Sequence, residues 1–146
     1  MPVVPQVSVL MPVRDGAEWL GEAIESVRGQ TLEDWELLAV DDGSADETPA
    51  ILAEYSRRER RLRRLATTET DRGLVAALNR GLREVRGRYV ARMDADDIAL
   101  HERLALQVTA LGADASLAAV SCAVEGFPRD AMGEGMQRYL DWQNAL

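Results

Sequence analysis

The sequence predicts an α/β protein with a mostly parallel sheet covered by helices, in a three-layer α/β/α arrangement. Short runs of β-branched and apolar residues alternate with stretches of helical period, giving the order β-α-β-α-β-α-β-α-β. The connections between them are short enough for right-handed crossovers, which favour a parallel sheet. A chain of 146 residues, 47% of them apolar, can also bury one core of ordinary size.

The first strand is "VSVLMP" at 7–12, followed by "DGAEWLGEAIESVRGQ", in which Trp19, Leu20, Ala23, Ile24 and Val27 recur at helical spacing. Asp15 with Glu18 three residues later has the form of a capping pair, and "GQT" supplies the stop. "WELLAVDD" at 35–42 is the second strand, and after the turn "GSADE" the pair Thr48-Pro49 opens a helix with Ile51, Leu52 and Tyr55 on one side. "LRRLAT" at 62–67 is a weaker third strand, and Leu74, Leu78, Leu82 and Val85 of the next helix keep the period of one buried face. "RYVARMD" at 88–94 is the fourth strand, and a helix with Leu104, Val108 and Leu111 follows. The apolar run at 117–124 completes the count as a fifth strand. Beyond it, "EGFPRDAMGEG" reads as loop and "MQRYLDWQNAL" as a weak helix with Met136, Tyr139 and Leu140 on one face. Residues 1–125 are therefore expected to form one binding domain, and 126–146 a loop and helix leading toward a part not present, so that the chain reads as a piece of something longer.

Composition narrows the function classes. A formal net charge of −8 argues against nonspecific nucleic-acid binding. The run "RRERRLRR" at 57–64 has no interleaved aromatic residue, as a single-strand binder requires, and reads as a solvated helix end leading into a strand. The one cysteine, Cys122 in "LAAVSCAV", excludes an intrachain disulfide and is expected to be a buried thiol in a reducing, cytoplasmic setting. No segment has the pattern of a secretion signal or the length of a membrane span.

The polar residues gather at predicted strand ends. "PVRD" at 12–15, "DDGS" at 41–44 and "DADD" at 94–97 follow the first, second and fourth strands. In an open parallel sheet ligands bind outside the carboxyl ends of the strands, where the strand order reverses. If the first strand lies between the second and the fourth, all three clusters share one rim. Their carboxylates raise one another's pKa unless a cation compensates them, and carboxylate oxygens suit Mg²⁺ or Mn²⁺. Mg²⁺ takes only one or two protein carboxylates and leaves positions for water and substrate phosphates. Alternation along an extended segment puts Asp94 and Asp96 on one side with Asp97 turned away. Aspartates also cap turns and helices, which accounts for one of the three, Asp97. No "GxxxxGK[ST]" loop and no "GxGxxG" fingerprint is present, so a metal bridging a diphosphate fits better than a backbone cradle.

The stretches "VSVLMPVRDGAEWLGEAIESVRGQT", "WELLAVDDGSADETPAIL", "RGLVAALNRGLREVRGRYVARMDADD" and "HERLALQ" resemble, in order and spacing, the family 2 glycosyltransferases. These are inverting, nucleotide-sugar-dependent enzymes of the Rossmann-like GT-A fold. The resemblance implies that Pro12, Val13 and Arg14 line a nucleotide pocket, that Asp42 hydrogen-bonds the base, and that Arg72 lies near the nucleotide. It implies that Asp94 and Asp96 are the carboxylates of the family's DxD motif, the first near the ribose and the second on the metal, with Asp97 in support. The cofactor implied is Mn²⁺ or Mg²⁺; the donor is a nucleoside diphosphate sugar, a UDP-sugar first among them; the acceptor is a saccharide or a lipid-linked one. Location follows as cytoplasmic, or peripheral at the inner face of the membrane.

Arg14 departs from the aromatic residue common at its position, and His101 stands where the family has Pro, so it is read as a helix-start residue rather than a metal ligand. Trp19 and Trp35 are read as core packing. The family's catalytic base is an acidic residue well beyond the DxD motif; Glu125, Asp130, Glu134 and Asp141 match by type only, none is assigned, and the base is expected beyond residue 146. Two alternatives stand beside this reading: a nucleotide-binding fragment without turnover, and a sugar nucleotidyltransferase, whose Gly-rich basic segment after the first strand is missing from "PVRDGAEWL".

Overall fold

The computed structural model describes residues 4–145, and the chain divides between Ala105 and Leu106 into two compact units. The first unit carries β1 (Val7–Val13), α1 (Leu20–Arg28), β2 (Trp35–Asp41), α2 (Thr48–Arg58), β3 (Leu62–Ala66), α3 (Leu74–Leu82) and β4 (Tyr89–Arg92). α4 (Arg103–Ala113) begins at its end, and the second unit continues with a short 3₁₀ turn and α5 (Glu134–Asn144).

The sheet has four parallel strands in the order β3-β2-β1-β4. β1 is central and every one of its residues is buried, which is why "VSVLMPV" reads as a continuous apolar run rather than an alternating one. The chain steps from β1 to β2 to β3 in one direction, then crosses back to β4 on the far side of β1, so the strand order reverses between β1 and β4. Pairing of β1 with β4 ends at Leu10–Arg92, followed by one bond from Met93 N–H to Leu10 C=O. Pro12 shares its strand side with Leu10, so its missing N–H falls where β4 has already ended and no ladder bond is lost.

Right-handed crossovers put α1 and α2 on one face and α3 on the other. On the first face Val9, Met11, Leu37 and Ala39 are closed off together with Leu20, Ala23, Ile24 and Val27 of α1 and Leu52 of α2. On the second, Leu10, Leu38 and Val40 pack with Ala77 of α3, flanked by Leu65, Leu78 and Val85. Here the expected leucine stripe is corrected. Ala76, Ala77 and Gly81 are the buried residues of α3, while Leu74 is 52% and Leu82 49% exposed. A Cβ at position 81 would overlap Leu10, so at that turn α3 lies too close to the sheet for any larger side chain.

The amino-terminal edge of the sheet is closed by paired charges. Ser8 donates to Glu36 at 2.6 Å, the backbone N–H groups of Arg86 and Gly87 close on Ser8 Oγ and Glu36, and Arg63 bridges Glu36 (3.1 Å) to Glu84 (2.9 Å). Gly87 is required there, because a Cβ would run into the backbone of Val7 and Ser8. Nearby, Arg61 forks onto Glu59 and stacks 3.7 Å from the ring centre of buried Trp35. The arginine run is thus only partly solvated: Arg58 pairs with Glu54, and Arg61 and Arg63 are committed to the sheet edge.

The second unit corrects two expectations. The run at 117–124 forms no strand among the described residues, and the N–H and C=O of Val124 are taken by the side chain of Asn144 at 2.8 and 2.7 Å. "LAAVSCAV" holds only two β-branched residues, a composition that disfavours a strand. Cys122 is exposed rather than buried. α5 forms as expected, but only Leu140 of its apolar residues is buried, with Met136, Tyr139 and Trp142 outward. No helix among the described residues is long and apolar enough to cross a membrane.

Candidate functional site

A cleft of about 280 Å³ opens at the carboxyl ends of β1 and β4, where the strand order reverses. It is lined on one side by Pro12 to Gly16 and Trp19, on the other by Arg92 and Asp94 to Asp96, with Leu74 of α3 at its margin. Pro12, Val13, Arg14, Asp94 and Asp96 are thus brought together as the sequence predicted. Asp42, Arg72 and Asp97 do not line it.

The wall after β1 is held by the loop after β2. Asp15, at φ 49°, accepts from Ala45 N–H at 2.7 Å while its own N–H donates to Ser44 Oγ. Gly16 N–H donates to Thr48 Oγ1 and Ala17 N–H to Asp46. The hydrogen bonds from Thr48 and then Ala17 lower the pKa of Asp46. These contacts replace the expected Asp15–Glu18 capping pair, and α1 starts only at Leu20. The later start leaves Trp19 outside the first buried turn; it is 42% exposed and faces the cleft, which corrects its reading as core. Trp35 is buried as expected.

Asp42 is buried, and both its oxygens are engaged. They accept from Gly73 N–H at 3.0 and 2.9 Å and from Thr67 Oγ1 at 2.9 Å, with Arg14 Nη1 3.9 Å away. Asp42 therefore ties the 67–73 loop to the end of β2. Within that loop Arg72 lays its guanidinium on the backbone of Gly43, whose φ of 73° suits glycine. Arg72 sits on the same rim as the cleft but beside it.

The three aspartates after β4 do not continue the strand. Asp97 N–H donates back to Asp94 C=O at 3.2 Å, closing a turn over 94–97. The expected alternation is replaced by this turn, yet Asp94 and Asp96 still both reach the cleft and buried Ala95 anchors the turn between them. Asp94 pairs with Arg92 at 3.1 Å. Desolvation, then the charges of Asp94 and Asp96, raise the pKa of Asp97, as crowded carboxylates require when no cation is bound. Among the described residues no group of three or more His, Cys, Asp or Glu side chains converges on one point. The chemistry still suits Mg²⁺ or Mn²⁺, which take one or two protein carboxylates and keep sites for water and phosphate oxygens. Asp94 and Asp96 fit that need, and Asp97 does not join them on the cleft. His101 is outside the cleft, its Nδ1 2.9 Å from Gly29 C=O, consistent with a helix-start role.

Sequence reasoning had Asp15 on the rim within "PVRD" but missed Gly16, Trp19, Leu74 and Arg92 as cleft residues. Arg92 carried a usable signal, since it lies two residues before the first aspartate at the end of the strand.

The model of the family "Glycosyl transferase family 2" matches residues 8–143. Among curated proteins, a UDP-Glc:alpha-D-GlcNAc-diphosphoundecaprenol beta-1,3-glucosyltransferase of Escherichia coli is 36% identical over 103 residues, covering 70% of this chain and 40% of that protein. Among solved structures, a mannosyltransferase from Pyrobaculum calidifontis in complex with GDP-Man and Mn²⁺ superposes with a TM-score of 0.76 at 30% identity, over 85% of this chain and 37% of the other. TarS of S. aureus in complex with UDP, at 24% identity and a TM-score of 0.67 over 74% of this chain and 32% of its own, shares the fold. The chain spans well under half the length of these relatives.

Proposed function

The chain belongs to glycosyl transferase family 2, and from that membership we propose that the rim of its sheet is the donor site of a metal-dependent glycosyltransferase using a nucleoside diphosphate sugar. One observation carries the reading: the cleft lies at the reversal of strand order, and both Asp94 and Asp96 open onto it opposite Pro12, Val13 and Arg14. Its volume of about 280 Å³ is at the lower end for a small-molecule site, suited to part of a donor rather than to donor and acceptor together.

Arg14 and Arg92 supply the positive charge that a diphosphate needs on either side of the cleft, and Asp96 with Asp94 would hold Mn²⁺ or Mg²⁺. A bound cation supplies Lewis-acid stabilisation of the charge that grows on the leaving diphosphate. In this reading the base lies toward Asp42, which orders the 67–73 loop, and Arg72, whose guanidinium lies over Gly43. In the reaction an acceptor hydroxyl attacks the anomeric carbon, the bond to the diphosphate breaks, the nucleoside diphosphate leaves, and the hydroxyl proton passes to a base. Direct displacement inverts the anomeric centre. No residue of this chain is assigned as that base.

UDP is the first nucleotide to test, and the acceptor is a saccharide or a lipid-linked saccharide, as the name of the Escherichia coli relative states for that protein. An acceptor of that kind goes with a cytoplasmic protein working at the inner face of the membrane. Calorimetric titration with UDP and GDP, with and without Mn²⁺, tests the reading. Binding should be strengthened by Mn²⁺, and Asp96→Ala should remove the strengthening. Equally tight binding by that variant overturns the assignment.

A further inference from the structure

Gln30, next to the end of α1, lies far in sequence from the aspartate turn, and the functional reading gives it no part. It is 6% exposed, so its amide must be satisfied inside the protein. Oε1 accepts from Leu104 N–H at 3.0 Å, and Nε2 faces three carbonyls, of Leu100 at 2.8 Å, Ser26 at 3.1 Å and Ala99 at 3.4 Å. One N–H partner and three carbonyl partners fix the orientation of the amide, since its oxygen only accepts and its nitrogen only donates.

Two neighbours fasten the same stretch. Ser26 Oγ accepts from Ala99 N–H at 3.0 Å, and Thr31 N–H donates to His101 C=O at 2.9 Å. The chain leaving the aspartate turn is therefore pinned to the end of α1 from residue 99 to residue 104. The chain entering it is pinned too, because Met93 N–H bonds to Leu10 and Arg103 reaches back to Arg92 C=O at 2.9 Å. Asp94 to Asp97 span the gap between these anchors. Their mutual repulsion favours spreading apart, and the two fixed ends resist it together with the Asp97 N–H to Asp94 C=O bond and the Arg92–Asp94 pair.

We propose that Gln30 is a positioning residue for the donor site: its amide fixes the outgoing end of the aspartate turn and so sets the placement of Asp94 and Asp96 for a divalent cation. The inference rests on the donor-site reading for its functional consequence, but the mechanical part stands apart from it. Residues that orient metal ligands from behind usually change metal affinity by roughly 10–100-fold when removed.

The experiment compares the chain with Gln30→Ala and Gln30→Glu. The second keeps the size and the acceptor for Leu104 but turns the donor into an acceptor facing carbonyls. Hydrogen exchange without any ligand reads the positioning directly: the amides of Asp97 and Ala99 should lose protection in both variants, and that of Leu104 in Gln30→Ala, while β1 and β2 keep theirs. Unchanged exchange at those three amides overturns the proposal. UDP titration is then repeated with and without Mn²⁺. The expected result is a loss of roughly tenfold in the Mn²⁺-dependent strengthening, with metal-free affinity retained. Equal losses with and without Mn²⁺ point to a merely structural glutamine and also overturn it. If the unaltered chain shows no strengthening by Mn²⁺, the donor-site reading fails, and the exchange result still decides whether Gln30 holds the turn.

Discussion

The amino-terminal edge of the sheet and the aspartate turn at its carboxyl edge treat their charges in different ways. At the amino-terminal edge Glu36, Glu59, Arg61 and Arg63 are paired to one another or to Glu84, and the backbone N–H groups of Arg86 and Gly87 complete the set. At the carboxyl edge Asp94 has a single exposed partner, and Asp97 is crowded by two like charges. The first edge spends its ionic residues on closing the sheet, whereas the second leaves carboxylates facing a cleft. The first arrangement closes the fold, and the second is the kind that the proposed cation and diphosphate would complete.

The comparison is broken most forcefully at Glu36. Its side chain is 7% exposed and serves Ser8, Arg63 and Arg86 N–H together. Glu36→Ala leaves those donors facing a void, with Arg63 still held by Glu84, so a loss of about 3 kcal/mol is expected in urea unfolding. Nucleotide affinity per folded molecule should stay the same, because no cleft residue touches Glu36. A change below 1 kcal/mol would mean that the network is ornamental.

Glu59 gives a smaller effect with a pH signature. The fork from Arg61 lowers its pKa from 4.5 to about 2. A carboxylate whose folded pKa is depressed contributes stability above its unfolded pKa and loses it as pH falls through the folded one. Glu59→Gln should therefore destabilise by on the order of 1.5 kcal/mol at neutral pH. The difference between the two proteins should shrink between pH 4.5 and about 2 in denaturant melts taken across that range. A difference that is constant with pH would remove the ion pair from the account.

The carboxyl edge was largely legible in the sequence, whereas the amino-terminal network was not, since Arg61 and Arg63 stood in a run read as solvated. Four strands and their helices follow from period and β-branching, and the three rim clusters follow from polar residues placed just after strands. What was not legible depended on partners distant in the chain. Periodicity groups Leu74, Leu78 and Leu82 on one face but cannot say that Gly81 must meet Leu10, which turns the small residues inward. The run at 117–124 has the apolar content of a strand but few β-branched residues, and it forms no strand among the described residues. Trp19 faces the cleft because Asp15 is captured by Ala45 and the helix starts late, a contact across 30 positions. Gln30 likewise looked like part of a helix stop, and its bonds reach 70 residues onward.

The smallest expected effect sharpens the other edge. Asp97 is raised in pKa by desolvation and by Asp94 and Asp96, so at neutral pH its charge opposes folding rather than supporting it. Asp97→Asn removes that charge while keeping the shape, and its backbone N–H still closes the turn on Asp94. The residue is exposed and screened by solvent, so the gain in stability without metal should be no more than about 0.5 kcal/mol. The same variant divides the three aspartates. Because Asp97 does not open onto the cleft, its neutralisation should leave most of the Mn²⁺-dependent nucleotide binding in place, whereas Asp96→Ala removes it. A loss as large as that of Asp96→Ala would put Asp97 among the metal ligands. It would also require the turn to rearrange when the cation binds, since in this geometry Asp94 and Asp96 face the cleft and Asp97 does not.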